Sequence, residues 1–261
     1  MPSELEKLLE IMVRLRGPDG CPWDREQTLQ TLQGFLLEET HEVLQALEEG
    51  DAVSLEEELG DLLFQIVFQS RIAEELGWFD FEKVAAGIAD KLVRRHPHVF
   101  GGTSLTTSSE VLRQWEHLKA EERKHSRNPS RLSGVPHTLP ALLGALRLSE
   151  KAARAGFDWS TPGEVFHKVR EEIQEWEEAT AQAAPERAHS ELGDLLFSLV
   201  NVARKLDLDP EAALQSANQE FRRRFVWMEK ALAATGEKAE SLSAQRWEEL
   251  WQEAKVAVSR G

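Results

Sequence analysis

The acidic residues of this chain form two matched sets whose spacing is suited to metal binding. Each set reads Glu-x2-Glu, fifteen intervening residues, then Glu-x2-Asp: Glu39, Glu42, Glu58 and Asp61 in the first half, and Glu172, Glu175, Glu191 and Asp194 in the second. Residues three apart lie on one face of a helix, so each pair aims two carboxylates the same way. Four clustered carboxylates repel one another unless a cation joins them. The pattern therefore predicts a metal site in each half.

Solvated surface charge is the alternative, because most Glu-x2-Glu pairs lie on exposed helix faces. Two features argue against it here. Asp61 is followed by LLFQIVF, in which six of seven residues are apolar, so we expect this helix to be largely buried. The pattern also occurs twice. Both features favour the metal site over surface charge.

The ligand set indicates a hard cation, since it offers only oxygen atoms. Such sets select Mg²⁺ or Mn²⁺. A di-iron site in a helical bundle would need Glu-x2-His motifs. Glu38 and His41 have that spacing, but the matching pair in the second half is Glu171 and Gln174. Iron is therefore disfavoured, and we expect Mg²⁺, with Mn²⁺ as the alternative.

Phosphate chemistry is the reaction that such a cation most often supports. Mg²⁺ usually joins carboxylates to substrate phosphates and can activate a water for attack on phosphorus. Glu38 and Glu171 precede the first ligand of each set and are candidate general bases, unless they are ordinary surface glutamates.

Cations and aromatic rings recur further along each half. Arginine and lysine bind phosphate, and a tryptophan and a lysine four residues apart on a helix could stack a base and neutralise a phosphate. Solvated basic faces and core tryptophans are the alternatives. The candidates are Lys91, Arg94 and Arg95 with Trp115 and Lys119 in the first half, and Arg222–Arg224 with Trp251 and Lys255 in the second.

The elements that carry these residues are predicted to be helices in a tandem repeat. The segment ELGDLLF occurs twice, at 58–64 and at 191–197, which is a separation of 133 residues. Alternating β-branched residues are essentially missing. We predict an all-α fold with helices at 32–49, 55–76, 81–95, 109–123, 164–182, 185–206, 210–234 and 243–259. A repeat at 1–123, a linker at 124–140 and a repeat at 141–261 would then organise the chain.

Composition limits the classes of function. The 46 acidic and 31 basic residues give a net charge of −15, which argues against a nucleic-acid binder. No GxxxxGK[ST] or GxGxxG motif occurs, which excludes P-loop and Rossmann chemistry. The single cysteine, Cys21, and the lack of a signal peptide or a membrane-length apolar run predict a soluble, cytoplasmic protein.

The motifs together resemble the MazG family of all-α nucleoside triphosphate pyrophosphohydrolases in its two-repeat form. The resemblance covers nearly the whole chain. It rests on CPWDREQT (21–28), LLEETHEV (36–43), ELGDLLFQ (58–65), RRHPHVF (94–100), EEIQE (171–175), ELGDLLF (191–197) and WQEAK (251–255).

The resemblance implies Mg²⁺-dependent hydrolysis of NTPs and dNTPs to monophosphate and pyrophosphate, removal of aberrant nucleotides, and a homodimer. It implies that the second repeat is the main nucleotide site. Glu220 departs from the family, which often has a lysine there, and Phe35 stands opposite Lys168. The implied nucleotide contacts are Lys168, Glu171, Arg187, Arg224, Trp251 and Lys255.

Two other functions stay open. A dedicated enzyme of the same fold class would act on phosphoribosyl-ATP or on one pyrimidine triphosphate. A helical interaction module would bind metal for stability and turn over no nucleotide.

Overall fold

The computed structural model describes residues 3–102, 107, 110, 111, 114, 115, 118 and 130–258. The chain divides into two compact units, Met1–Glu122 and Arg123–Gly261. No strand occurs among the described residues, so the predicted all-α class is confirmed.

The first unit is built around two long helices joined by a two-residue turn. Its helices are α1 (Glu4–Leu15), α2 (Pro22–Glu26), α3 (Leu32–Glu49), α4 (Ala52–Glu75), α5 (Phe81–Arg95) and α6 (Pro97–Phe100). The turn is so short that α3 and α4 run antiparallel and pack along their length. Gly50 ends α3 in the left-handed conformation with φ of 69°, which glycine adopts without steric cost.

The core of the first unit joins α1 and α3 to the second half of α4. Met12, Leu32, Val67, Phe68 and Ile72 are each at most 5% exposed and form one contiguous cluster. These apolar side chains fix α4 against α3, and this packing positions the acidic residues of both helices.

The second unit repeats this plan. Its helices are α7 (Ala141–Arg154), α8 (Pro162–Ala181), α9 (Pro185–Lys205), α10 (Pro210–Thr235) and α11 (Ala244–Val258), with a short 3₁₀ turn at Ala239–Ser241. The helices α8 and α9 are the counterparts of α3 and α4, and α7 packs on α9 and α10. One core cluster lies between α8 and α9, and a second joins α10 to α11 around Leu250.

The turn between α8 and α9 reaches the same conformation without glycine. Ala183, which lies 133 residues after Gly50, has a φ of 49°. Its amide donates to the Thr180 carbonyl at 3.1 Å. The antiparallel pair therefore needs a left-handed residue here in both units, whichever side chain is present.

Arginine side chains tie the end of the second long helix to the preceding loop in each unit. Arg16 donates to Glu75 at the end of α4 with an Nη2 to Oε2 distance of 2.6 Å. In the second unit Arg204 and Lys205 both bind Asp158, and these partners lower its pKa to about 2. The loop residues Arg16 and Asp158 thus hold the end of the second long helix in their own units.

Most predicted helix bounds that fall in the described residues agree with the structure to within two residues, and one does not. The predicted start of α4 at Leu55 is wrong, because the helix begins at Ala52. Asp51 is the cap: its carboxylate accepts from the Val53 amide at 3.0 Å and from the Ser54 hydroxyl at 2.8 Å. The helix predicted at 109–123 lies mostly outside the described residues.

The expectation that α4 is largely buried is also wrong for the face that carries Leu59, Leu63 and Ile66. Leu59, Leu63 and Ile66 are 49%, 38% and 40% exposed in the single chain. The residues at the same offset on α9, Leu192, Leu196 and Leu199, are exposed as well. Each unit therefore presents an apolar stripe beside its acidic residues.

The linker predicted at 124–140 is partly described. Residues 130–140 contain turns and no helix, and the Lys151 ammonium of α7 donates to the Ser133 carbonyl at 2.6 Å. Among the described residues, no helix is both long and apolar enough to cross a bilayer.

Candidate metal and nucleotide site

The two acidic sets each form a cluster between the paired long helices. In the first unit, carboxylate oxygens of Glu39, Glu58 and Asp61 all lie within 4.8 Å of one another. Glu39 comes from α3 and the other two from α4. Glu42 lies outside this trio, but its negative charge, after burial, raises the pKa of Glu58. This unit therefore brings all four predicted ligands into one electrostatic group.

The second cluster has a different membership. Oxygens of Glu172, Glu175 and Glu191 lie within the same 4.8 Å limit, whereas Asp194 is exposed and outside the trio. Glu172 is the most buried of these carboxylates, with its side chain 6% exposed. The structure thus groups three of the four predicted ligands in this unit.

Burial and mutual repulsion act on these carboxylates. The pKa of Glu39 is raised by burial first and then by Asp61 and Glu42. Burial also raises the pKa of Glu175, with a further contribution from Glu172. Groups that resist ionisation side by side are stabilised when a cation joins them, so both clusters fit an oxygen-ligated divalent ion.

A glutamine that the sequence analysis did not single out supports the fit in the first unit. Gln65 is 4% exposed, and its side-chain amide lies against the Glu39 carboxylate, where it lowers the pKa. Its Oε1 is buried and has no hydrogen-bond partner among the described residues. The signal in the sequence was a polar residue within the apolar run LLFQIVF.

The second cluster contains two cations of its own. The Lys168 ammonium lies 2.7 Å from Oε1 of both Glu171 and Glu172. Arg187 Nε lies 3.2 Å from Glu191 Oε1. The structure therefore places Lys168, Glu171 and Arg187, which the family resemblance implies as nucleotide contacts, against the carboxylates of this cluster.

Both candidate general bases are on the long helices and exposed. Glu38 lies on α3, beside Glu39. The hydrogen bond from Lys168 lowers the pKa of Glu171, so this carboxylate is a weaker base while the contact persists.

A second group of predicted residues assembles on α10 and α11. The Arg224 guanidinium carbon lies 5.4 Å from the centre of the Trp251 ring, and the Lys255 ammonium lies 5.9 Å from it. Arg224 also pairs with Glu220 at 2.7 Å. In the described part of the chain, Arg224 and Trp251 make no hydrogen bond or ion pair with the acidic cluster.

The corresponding residues of the first unit are only partly described. Lys91 is exposed and Arg95 half-buried, both near the end of α5. The half-buried Trp115 ring has its centre 5.6 Å from that of His96. Lys119 lies outside the described residues.

Comparison with known proteins gives matches in both units. Residues 27–100 match the model of the MazG nucleotide pyrophosphohydrolase domain, and residues 149–221 match that of phosphoribosyl-ATP pyrophosphohydrolase. Each matched range contains the paired long helices of one unit and their acidic cluster.

Some relatives match nearly the whole chain, and others match part of it. The nucleoside triphosphate pyrophosphohydrolase of Escherichia coli (strain K12) is 48% identical over 97% of this chain and 97% of its own. A Thermotoga maritima protein named nucleoside triphosphate pyrophosphohydrolase/pyrophosphatase MazG is 42% identical over 96% of this chain and 95% of its own. A nucleoside triphosphate pyrophosphohydrolase of Mycolicibacterium smegmatis is 39% identical over 59% of this chain and 48% of its own.

Proposed function

The chain belongs to the MazG family of nucleoside triphosphate pyrophosphohydrolases, and on that premise we propose that it hydrolyses NTPs and dNTPs to monophosphate and pyrophosphate at the second acidic cluster, with Mg²⁺. The observation that carries the proposal is the pairing of three clustered carboxylates with Lys168 and Arg187. Carboxylates are suited to a cation, and the two basic side chains to phosphate. Clearance of aberrant nucleotides, a homodimer and a cytoplasmic location stay predictions.

Different residues of the second unit would bind the cation, the phosphates and the rest of the nucleotide. Glu172, Glu175 and Glu191 would hold the cation, with Asp194 close by on α9. When bound, Mg²⁺ supplies charge neutralisation of the triphosphate and activates water for attack. Lys168 and Arg187 bind phosphate oxygens, and Arg224, Trp251 and Lys255 bind the rest of the nucleotide.

Bond changes follow from the products. The oxygen of a water bonds to the α-phosphorus, the bond from this phosphorus to the bridging oxygen breaks, and pyrophosphate leaves. Glu171 accepts the proton from the water. Its base strength increases once Lys168 turns from Glu171 to a phosphate oxygen, because the hydrogen bond that lowers its pKa is then lost.

Product analysis tests the proposal. The full chain would be incubated with Mg²⁺ and a panel of NTPs, dNTPs and phosphoribosyl-ATP, and the products separated by ion exchange. We expect monophosphate and pyrophosphate from several nucleotides. Release of single phosphate, or no turnover of any compound, would contradict the proposal.

A dedicated phosphoribosyl-ATP enzyme is the second candidate. The match of residues 149–221 to that family favours it. Turnover confined to phosphoribosyl-ATP in the same panel would replace the broader function.

Glu220 is expected to weaken nucleotide binding. Its carboxylate pairs with Arg224, which removes charge from a side chain proposed to bind the nucleotide. Ion pairs near the protein surface contribute about 0.2–1 kcal/mol, so Glu220→Gln should lower KM for ATP by up to about fivefold. Steady-state kinetics would measure this. The control is Glu229→Gln, an exposed glutamate on the same helix, and an equal change in both variants would assign the effect to net charge alone.

A further inference from the structure

The two acidic clusters differ in the residues that lie one helical turn before two of their glutamates. In the second unit, Lys168 is four residues before Glu172, and Arg187 is four residues before Glu191. Both basic side chains fold back onto these glutamates, at 2.7 and 3.2 Å. Two of the three grouped carboxylates are therefore already paired with a protein cation.

The first unit has uncharged residues at both of these positions. Phe35 corresponds to Lys168 and Ser54 to Arg187 at the offset of 133. The Phe35 ring contacts Trp23 with ring centres 5.7 Å apart, and the Ser54 hydroxyl donates to Asp51. Within the described residues, no lysine, arginine or histidine forms an ion pair with the four acidic residues of this cluster.

Gln65 provides an independent sign of a ligand at the first cluster. A buried carbonyl oxygen that has lost its hydrogen bonds to water and gained no partner is destabilising. Gln65 has such an oxygen on the same amide that lies against Glu39. The residue at this offset in the second unit is Ser198, whose side chain is a hydroxyl and has no amide carbonyl oxygen. The first cluster therefore has one more oxygen atom that could bind a metal ion, and no described protein cation competes with the metal for its carboxylates.

We propose that the first cluster binds a divalent cation in the absence of nucleotide, whereas the second binds one only together with a triphosphate. In the second cluster a metal ion must displace Lys168 and Arg187, and their positive charges repel it while they remain. A triphosphate offers both side chains charged oxygens as alternative partners. The second half of this inference rests on the proposed function, since it takes a nucleoside triphosphate as the ligand.

Mn²⁺ binding to the full chain tests the inference without measuring turnover. Free Mn²⁺ would be followed by electron paramagnetic resonance during titration, first without nucleotide and then with α,β-methylene-ATP, after subtraction of the Mn²⁺ that this analogue binds in buffer. We expect one site per chain without nucleotide and two with it. Two sites of equal affinity without nucleotide, or none, would overturn the proposal.

Variants assign each site to its cluster. Glu39→Gln should weaken the nucleotide-independent site by about 10-fold or more, and survival of that site at unchanged affinity would refute the assignment. Lys168→Met combined with Arg187→Met should create a second nucleotide-independent site. If the double variant has a normal circular dichroism spectrum and still binds only one Mn²⁺ ion without nucleotide, the proposal is also refuted.

The reverse exchange supplies a matched control. Phe35→Lys should weaken the nucleotide-independent site, whereas Phe35→Leu removes the ring contact with Trp23 without adding charge and should retain the affinity. Equal weakening in both would attribute the effect to packing and contradict the proposal. Mn²⁺ binding as expected, without release of pyrophosphate from NTPs, would refute the proposed function alone. Release of pyrophosphate from NTPs, without the expected pattern of Mn²⁺ binding, would refute this inference alone.

Discussion

Glu172→Gln is expected to reduce kcat/KM for nucleotide hydrolysis by at least about 100-fold. Loss of a group that only supports a metal ligand costs about 10–100-fold, so loss of a charged ligand should cost more. Glu172 is the most buried member of its cluster, and neighbouring water has little access to replace it. The amide keeps the size of the side chain, so the effect reports charge and not packing. Pyrophosphate release at several Mg²⁺ concentrations would measure it.

Two further variants give this result its meaning. Glu177→Gln removes a charge from an exposed position of the same helix and should leave kcat/KM unchanged. Glu39→Gln makes the equivalent change in the first cluster, and we expect a smaller loss than for Glu172→Gln. A larger loss for Glu39→Gln would move the proposed reaction to the first unit.

Phe68→Ala is expected to lower the free energy of unfolding by about 3–5 kcal/mol, which is the usual effect of removing a buried phenylalanine. Phe68 is 0% exposed and touches the α1 and α3 side of the core, while the Arg16 guanidinium lies 5.5 Å from its ring centre. The variant therefore loses both a packed ring and a contact of the arginine that holds the end of α4. Urea denaturation followed by circular dichroism would measure the change.

The control for this substitution is Phe100→Ala, in the same unit, where the side chain is 63% exposed. It should change the free energy of unfolding by less than about 0.5 kcal/mol, as surface substitutions usually do. Comparable destabilisation by the two variants would mean that Phe68 is not part of the core that positions the first acidic cluster.

The helices that carry the site could be predicted because strong breakers follow them. Gly50 and the His96-Pro97 pair stop α3 and α5 at the predicted residues. The start of α4 was harder, since Asp51 and Ser54 both cap helices well and stand three residues apart. The structure resolves this competition by a hydrogen bond between them, in which Asp51 keeps the backbone contact.

The residue types of the site followed from the repeat, but its arrangement did not. Identical spacing in both halves predicted identical clusters, yet the trio of closest carboxylates leaves out Glu42 in the first unit and Asp194 in the second. Side-chain direction depends on neighbours one turn away, such as Lys168 beside Glu172. The burial of α4 was overestimated because apolar letters alone do not show whether a partner covers them.

The left-handed turn at Ala183 implies that the second unit gives up stability to keep its helices in register. A residue with a β-carbon loses about 1–2 kcal/mol in this conformation relative to its ordinary backbone, and glycine does not. Gly50 meets the same geometric demand without strain. The packing of the flanking helices thus determines the backbone conformation of the turn, even where the residue at this position disfavours it. A glycine at position 183 should consequently raise the melting temperature of the protein, and the substitution changes no proposed metal ligand.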